Sequence, residues 1–192
     1  MTAVGDRGLY APVVTRVRKV PSISSMQFDV YFYPFNLLEA TPVLARMVQR
    51  PDMFCKKIEP GGEANIKILE LLTELDEERF ARVPFVDAED KVLYIAHRSM
   101  LDQFVARQVS GGKIDRLKEL TLADVLQEQP EIGSIFRSTH TFVSLAATIG
   151  DAKAAMTKVR DCRDVFVTQT GSAQEAVKGW ITDVIIATSE VK

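Results

Sequence analysis

The sequence has few of the residues that build disulfide frameworks, and no segment typical of a membrane span. Its 192 residues include two cysteines and two histidines. Cysteines so far apart in sequence do not make a disulfide framework, so we expect Cys55 and Cys162 to be small buried side chains in a reducing compartment. No stretch approaches the roughly 18 apolar residues of a spanning helix, and the N-terminus has no basic-then-apolar signal pattern. We therefore expect a cytoplasmic protein with no membrane partner.

The chain also lacks an excess of either charge. Lysine and arginine number 24 against 26 aspartates and glutamates, which gives a formal net charge of −2 and no global field to attract DNA or RNA. The basic cluster at residues 16–19 is short, and a solvated N-terminal segment explains it. With two histidines, a metal site or a histidine-based triad has little support, and no nucleophile motif is present. We therefore expect that the protein has no nucleic-acid partner and is not an enzyme.

The chain does contain a segment that occurs twice. The first copy starts at Arg82 and ends at His97, and the second starts at Arg163 and ends at Thr182. Each copy has the pattern of strand, turn and strand after a helical segment, and Arg82 and Arg163 are assigned to equivalent places. Repetition of this kind predicts an α/β protein of two pseudo-symmetric units with a cleft between them.

The first half of the chain is predicted to begin with a strand at residues 27–33 and a helix at 37–49, in which Pro42 lies near the first turn or kinks the helix. A strand follows at 54–59. Asn65 is predicted to cap a helix over 66–80.

The rest of the first copy is predicted as two strands, at 83–86 and 92–96, and a helix over 98–107. After the Ser110-Gly111-Gly112 break, residues 113–129 have a helical pattern, and 142–147 repeat the strand. Thr148 and Asp151 have capping-box spacing at the start of the next helix.

These elements divide the chain into four segments. They are an N-terminal extension (1–52), a first unit (53–109), a linker with a helix (110–130) and a second unit (131–192). Asn65 and Thr148 are assigned to the same place in the two units.

The duplicated pattern resembles the CBS domain, and the pair resembles a Bateman module. The resemblance is carried by residues 82–87 and the following strand, and by 147–156, 165–168 and 179–183. It implies two β-α-β-β-α units packed through their sheets. It also implies a non-enzymatic regulatory or sensory module, usually a homodimer, that acts on a partner protein. The ligands that it implies are adenine nucleotides (AMP, ADP or ATP) or S-adenosylmethionine, bound in the cleft between the units.

The family's ribose-binding signature is Gly, two apolar residues, Ser or Thr, two residues, then Asp. The aspartate matters because a carboxylate can accept hydrogen bonds from both vicinal ribose hydroxyls. In the second unit Gly179 and Thr182 match, but Ile185 stands at the aspartate position. Asp183 comes two residues earlier, about 200° around a helix, so it should face elsewhere.

The first unit departs further from the signature. Tyr94 replaces the glycine, His97 the Ser or Thr, and Met100 the aspartate. Neither unit keeps the carboxylate, so a conventional adenosine site is not expected in either half. Bulky rings at Tyr94 and Trp180 either pack in the core or fill the cleft.

Several residues remain as ligand candidates, each with an alternative structural role. Thr182 either binds a ligand or caps the last helix, and Asp183 favours the N-terminal dipole of that helix. Arg82 and Arg163 either bind phosphate in the cleft or pair with nearby carboxylates.

His97 and Arg98 enter the helix of the first unit, where they could contact phosphate, although His97 is also explained as a polar residue on the rim. Thr148 completes the candidate set as a helix-start hydroxyl. The function indicated is a ligand-binding regulatory module. The alternative is a ligand-free dimerisation or protein-interaction scaffold with a degenerate cleft.

Overall fold

A computed structural model describes residues 10–19, 26–34 and 37–190 of the chain. The strands are β1 (Tyr10–Lys19), β2 (Met26–Pro34), β3 (Val48–Gln49), β4 (Lys56–Lys57), β5 (Arg82–Val86), β6 (Val92–His97), β7 (His140–Ser144), β8 (Asp164–Thr168) and β9 (Gly179–Thr182). The α-helices are α1 (Leu37–Ala40), α2 (Ile68–Glu77), α3 (Arg98–Ser110), α4 (Leu122–Glu128), α5 (Pro130–Ser138), α6 (Ile149–Thr157) and α7 (Asp183–Glu190). Short 3-10 helices cover Val43–Ala45, Arg50–Asp52, Gly62–Asn65 and Ile114–Arg116.

Strands β1 and β2 form an antiparallel hairpin. Its register runs from Tyr10 opposite Pro34 to Lys19 opposite Met26, with one irregularity between Val14 and Arg16. The strand predicted at residues 27–33 is confirmed as β2.

The first unit is built on a three-stranded sheet in the order β4-β5-β6. Its core lies between this sheet and helices α2, α3, α4 and α5. On α2 the apolar positions recur with helical spacing, and Ile68, Leu71 and Leu75 are all buried in this core. The predicted strands at 83–86 and 92–96 and the helix over 98–107 are confirmed as β5, β6 and α3.

The second unit is built on a four-stranded sheet in the order β3-β9-β8-β7, covered by α1, α6 and α7. Strand β7 runs parallel to β8, and β9 runs antiparallel to it. Its core contains Val165 and Val167 from β8, together with Ile149 and Ala152 from α6. The predicted capping box is confirmed, because Thr148 Oγ1 accepts a hydrogen bond from the Asp151 amide at 3.1 Å.

The two units pack through their sheets, as predicted. A separate buried cluster fills the space between the sheets. Its members are Met53, Val86, Val92, Ile95, Phe166, Val177 and Trp180. The fold is therefore an α/β body with one core for each unit and a third core between them.

A short segment that is adjacent in sequence to one unit packs on the other unit, and this occurs in both directions. The segment from α1 to β3 precedes the first unit but packs on the second, where Ile149 N donates to Thr41 O at 2.8 Å. Leu120–Leu122 precedes the second unit but packs on the first, where Ile68 N donates to Leu120 O at 2.9 Å. Each unit is thus completed by backbone hydrogen bonds to a segment that is distant from it in sequence, as well as by side-chain packing.

The prediction of a single helix over residues 37–49 was wrong. Helix α1 ends at Ala40, and Pro42 forms an isolated bridge with Thr148. Because Val43 N donates to Ala147 O at 3.0 Å, this stretch is held by the second unit rather than by its own helical bonds. Its last residues form β3, which pairs with β9.

Asn65 is not the cap of the next helix. It ends the 3-10 helix Gly62–Asn65, and α2 begins at Ile68 after Lys67. The cause is the strand-like contact with residues 120–122, since Leu122 N donates to Ile66 O at 2.8 Å and keeps the backbone at Ile66 extended. The residue equivalent to Thr148 is therefore Lys67.

The helix predicted over residues 113–129 is two shorter helices, Ile114–Arg116 and α4. Thr121 interrupts the pattern because it caps α4, with its Oγ1 accepting from the Asp124 amide at 3.2 Å. The strand predicted at 54–59 is limited to Lys56–Lys57, and that at 142–147 is shifted to His140–Ser144. The four predicted domain boundaries stay a prediction.

Candidate ligand-binding cleft

A cleft of about 600 Å³ opens where the two units meet. Strand β5 begins there, β6 ends there and helix α3 starts there, while α5 ends opposite. The turn between α6 and β8 closes the remaining side. The lining residues are Ala81, Arg82, His97, Ser99, Met100, Ile135, Ser138, Thr139, Arg160, Asp161 and Arg163.

The exposed cations of the cleft come from the turn before β8. Arg160 is 96% exposed and lies 3.4 Å from Asp161, while Arg163 is 68% exposed and lies 3.8 Å from Asp183. Both guanidiniums face water and hold their carboxylates loosely. Guanidiniums present several donors in a planar fork that fits phosphate and carboxylate groups. Arg160 and Arg163 are therefore the side chains best placed to reach an anion in the cleft.

Arg82 is much less available. Its Nη1 donates to Asp164 Oδ2 at 2.9 Å and its Nη2 to Asp183 Oδ1 at 3.0 Å, and its side chain is 15% exposed. Arg82 comes from the first unit and both carboxylates from the second. The side chain therefore ties the two units together at the base of the cleft.

Asp164 is the most deeply buried charge of this network. Its side chain has no exposed surface, and its Oδ1 accepts from Trp180 Nε1 at 3.0 Å. Burial raises the pKa of Asp164 to about 6, although the Arg82 guanidinium and the indole hydrogen bond act in the opposite direction. Asp164 is thus ionised at neutral pH and depends on Arg82 and Trp180 to stay so.

His97 lies in the wall of the cleft as a neutral imidazole. Burial lowers its pKa to about 4, helped by the nearby charges of Arg82 and Arg163. Its Nε2 lies 2.9 Å from Thr139 Oγ1, and that hydroxyl donates its own hydrogen to Ile135 O at 2.9 Å. The hydroxyl can therefore only accept from His97, which fixes the proton on Nε2. His97 also stacks on Phe136, with ring centroids 5.9 Å apart.

Arg82 and Arg163 are not equivalent, contrary to the sequence assignment. The strand registers place Arg82 opposite His97 and Asp164 opposite Thr182, and His97 and Thr182 each precede a helix directly. The residue equivalent to Arg82 is therefore Asp164. The alignment given by the strand registers is therefore shifted by one residue from the alignment that the sequence repeat suggested, in which Arg82 matches Arg163.

The turns before these strands agree with this register. Arg79 has a φ of 59° and Asp161 a φ of 56°, three residues before Arg82 and Asp164 respectively. One position earlier in each turn, Glu78 corresponds to Arg160, so the charge is reversed between the two copies.

The other candidate residues have structural partners. Thr182 Oγ1 accepts from the Ile185 amide at 3.4 Å, as a helix cap does, and Asp183 pairs with Arg82. Arg98 points along the surface to Asp76 at 2.8 Å. Arg98 and Thr148 are not among the lining residues of the cleft.

The rings that could have filled the cleft belong to the cores instead. Tyr94 is 2% exposed and stacks on Phe85 with centroids 5.0 Å apart, and Trp180 is 3% exposed between the sheets. Gly179 is covered from within the chain. A Cβ added there would come within 2.8 Å of Met47 Cγ and 2.9 Å of Val48 O.

Sequence reasoning missed Asp164, Arg160 and the hydroxyls of Ser138 and Thr139. A signal existed for Asp164, because a carboxylate at the start of an apolar strand needs a buried partner. The turn residue Arg160 had no signal apart from its charge.

Within residues 10–19, 26–34 and 37–190 no group of three or more His, Cys, Asp or Glu side chains has the arrangement of a metal site. No helix in that part of the chain is long and apolar enough to cross a membrane.

Solved structures share this arrangement of two sheets with their helices. The CBS domain of a bacterial CNNM/CorC family Mg²⁺ transporter in complex with ATP matches with a TM-score of 0.57 and 19% identity, over 80% of this chain and 89% of the other. This chain has the CBS-domain fold. A CBS-domain hemolysin-like protein of Oenococcus oeni matches with a TM-score of 0.54 and 16% identity, over 81% of this chain and 93% of the other.

A third structure with the CBS fold is that of CBSX2 in complex with AMP. It has a TM-score of 0.52 and 13% identity, over 78% of this chain and 95% of the other. No protein-family model and no curated protein sequence matches the chain. The likeness is one of fold, which confirms the resemblance drawn from the repeat.

Proposed function

We propose that this chain is a non-catalytic regulatory or sensory module that binds an adenine nucleotide, or a related ligand such as S-adenosylmethionine, between its two units. The observation that carries the proposal is the cleft of about 600 Å³ lined by Arg82, Arg160 and Arg163. A volume of this order is typical of small-molecule sites. Two proteins with the same fold are described in complex with ATP and with AMP.

The polar groups of the cleft suit the phosphate end of a nucleotide. Arg160 and Arg163 supply exposed guanidiniums, and Ser99 and Ser138 supply exposed hydroxyls in the same cleft. Ile135 and Met100 supply apolar surface against which a base can pack. Charge-assisted hydrogen bonds from arginine to phosphate are stronger than neutral ones, so the arginines should dominate the binding energy.

Binding in the cleft would act on how the two units are held together. Arg82 of the first unit pairs with Asp164 and Asp183 of the second, and Asp183 also faces Arg163 at 3.8 Å. A phosphate that recruits Arg163 removes one of the cations facing Asp183. A ligand shifts an equilibrium only by its differential affinity for the two states, and this competition supplies such a difference.

Isothermal titration calorimetry of the full chain with AMP, ADP, ATP and S-adenosylmethionine tests the proposal. At least one of these ligands should bind, and Arg163→Gln should weaken its binding. Arg98→Gln is the matched control because Arg98 lies outside the cleft lining and pairs with Asp76. Absence of binding by all four ligands at about 1 mM, with no rise in melting temperature, would refute the proposal.

A second candidate function is an interaction scaffold, either a homodimer or the docking partner of a regulated protein. It is favoured by exposed apolar side chains, among them Val184 on α7 at 63% and Ile114 at 59%. Sedimentation velocity over a range of concentrations tests the homodimer, and Val184→Glu should weaken it. A monomer at every concentration that also co-purifies with no protein would rule the scaffold out.

A further inference from the structure

From the charges and hydroxyls of the cleft we infer that it recognises its ligand through phosphate, by Arg160 and Arg163, and does not read the ribose hydroxyls. This inference deepens the proposed function, because it names the part of the ligand that the site selects.

The carboxylates around the cleft decide whether a ribose diol can be bound selectively. Selective binding of a ribose diol needs an acceptor that is free to take both hydroxyl hydrogens. Asp164 is fully buried under Arg82 and Trp180, and Asp183 is bound by Arg82 at 3.0 Å. Both carboxylates already accept hydrogen bonds from side chains of this protein.

Asp161 is the carboxylate among the lining residues. It is 79% exposed and lies 3.4 Å from Arg160. An exposed carboxylate that already faces water and a guanidinium gains little by exchanging them for a sugar hydroxyl. The first turn of α3 has Ser99 and Met100 at the cleft, and neither side chain carries a carboxylate.

The exposed cations of the cleft are weakly paired. Arg160 is 96% exposed and Arg163 is 68% exposed, and each holds a carboxylate at 3.4 Å or more. Such weakly paired guanidiniums can turn to a bidentate phosphate contact at small cost. The donor set of the cleft therefore favours a doubly charged phosphate over a neutral diol.

The first unit contains a copy of the turn that carries Arg160. The copy of this turn in the first unit carries Glu78 where the second unit carries Arg160, and Arg79 where it carries Asp161. Arg79 is an exposed arginine in the same left-handed backbone conformation, with a φ of 59°, but it is not in the cleft lining. It is the matched control for the phosphate-binding role.

The experiment is calorimetry of the full chain with AMP, 2′-deoxy-AMP, adenosine and inorganic pyrophosphate. The dissociation constants of AMP and 2′-deoxy-AMP should lie within about threefold of each other. The reason is that no acceptor in the cleft depends on the 2′-hydroxyl for its hydrogen bond. Adenosine should bind at least about tenfold more weakly than AMP. The double variant Arg160→Gln/Arg163→Gln should lose about tenfold or more in affinity for AMP and for pyrophosphate. Arg79→Gln should bind both ligands with the affinity of the wild type.

The outcomes separate this inference from the proposed function. If AMP binds about tenfold or more tightly than 2′-deoxy-AMP, or if the double variant binds AMP as the wild type does, the inference is wrong while the nucleotide function stands. If pyrophosphate binds through the two arginines and no nucleotide binds, the inference stands and the nucleotide function falls. If nothing binds, the inference falls, and the titration with AMP, ADP, ATP and S-adenosylmethionine decides the proposed function. Melting temperatures of the variants, close to that of the wild type, establish that lost binding is not lost folding.

Discussion

Arg82 and Asp164 hold equivalent positions in the two units and form an ion pair with each other at 2.9 Å. Symmetry brings equivalent residues of the two copies together at the axis between them. Identical charges there would repel, and opposite charges attract. The duplication has therefore diverged at this position into an arginine and an aspartate that together close the interface.

Removal of the arginine should strongly destabilise the protein. Arg82→Met leaves Asp164 fully buried without its cation, and we expect a loss of about 3–5 kcal/mol in the free energy of unfolding. Urea unfolding measures this loss. Arg82→Met/Asp164→Asn should recover part of it because the buried charge is gone, and Arg98→Met at the surface should change little. Equal stability of Arg82→Met and the wild type would contradict the role given to the pair.

Gly179 should not tolerate a side chain. Gly179→Ala brings a Cβ within 2.9 Å of Val48 O and into Met47, so we expect about 1–3 kcal/mol of destabilisation in thermal or urea unfolding. Met47→Ala in the same chain should restore part of the loss by removing the side-chain contact.

Gly62→Ala is the control for Gly179, since its Cβ would meet the nearest side-chain atom, Ile58 Cβ, at an ordinary 3.4 Å. A Gly179→Ala protein as stable as Gly62→Ala would show that β3 does not pack on β9 as described.

His97 should make the protein less stable in acid. Burial lowers its pKa to about 4 from an unfolded value of 6.5, so the unfolded state binds the proton first as the pH falls. The stability that neutral His97 contributes is complete above pH 6.5 and is lost as the pH falls toward 4. Asp164 acts with the opposite sign below about pH 6, because its pKa is raised in the folded state.

The variant His97→Gln separates these two groups. It retains a side-chain donor for Thr139 but cannot titrate, so its free energy of unfolding should fall less than that of the wild type between pH 7 and 5, by about 1–2 kcal/mol. Urea titrations at the two pH values measure the difference. Parallel pH profiles of the two proteins would contradict a buried neutral His97.

The helix caps should be structural and independent of ligand. Thr121→Ala and Thr148→Ala each remove a capping box, and we expect each to cost about 1 kcal/mol in unfolding experiments. Thr73→Ala, at an exposed site within α2, should cost less. Since Thr148 lies outside the cleft lining, its replacement should leave nucleotide affinity unchanged, and a loss of affinity would restore Thr148 as a ligand candidate.

The strands and main helices were predictable because their apolar residues follow local periodicities. Ile68, Leu71 and Leu75 mark α2, and the run from Val83 to Val86 marks β5. The start of α2 was not predictable, because it depends on backbone bonds from Ile66 and Ile68 to residues 120–122, more than 50 positions away.

The register of the repeat shows why the site was harder to predict. The sequence alignment matched Phe85 with Phe166, but the strand pairings match Phe166 with Pro84 instead. A slip of one residue reverses the face of every side chain in a strand. Phe85 accordingly packs in the core of its own unit, and Phe166 packs between the sheets. The same slip hid the pairing of Arg82 with Asp164.

The segments around Thr41 and Leu120, each of which packs on the unit that is distant from it in sequence, limit how the chain can be rearranged. Each half supplies backbone that completes its neighbour, as β3 does for β9. A half cut out on its own would lose this partner and present an unpaired strand edge, a template for aggregation. The two copies are therefore not exchangeable modules, and an insertion, deletion or permutation that separates them must carry both borrowed segments with it.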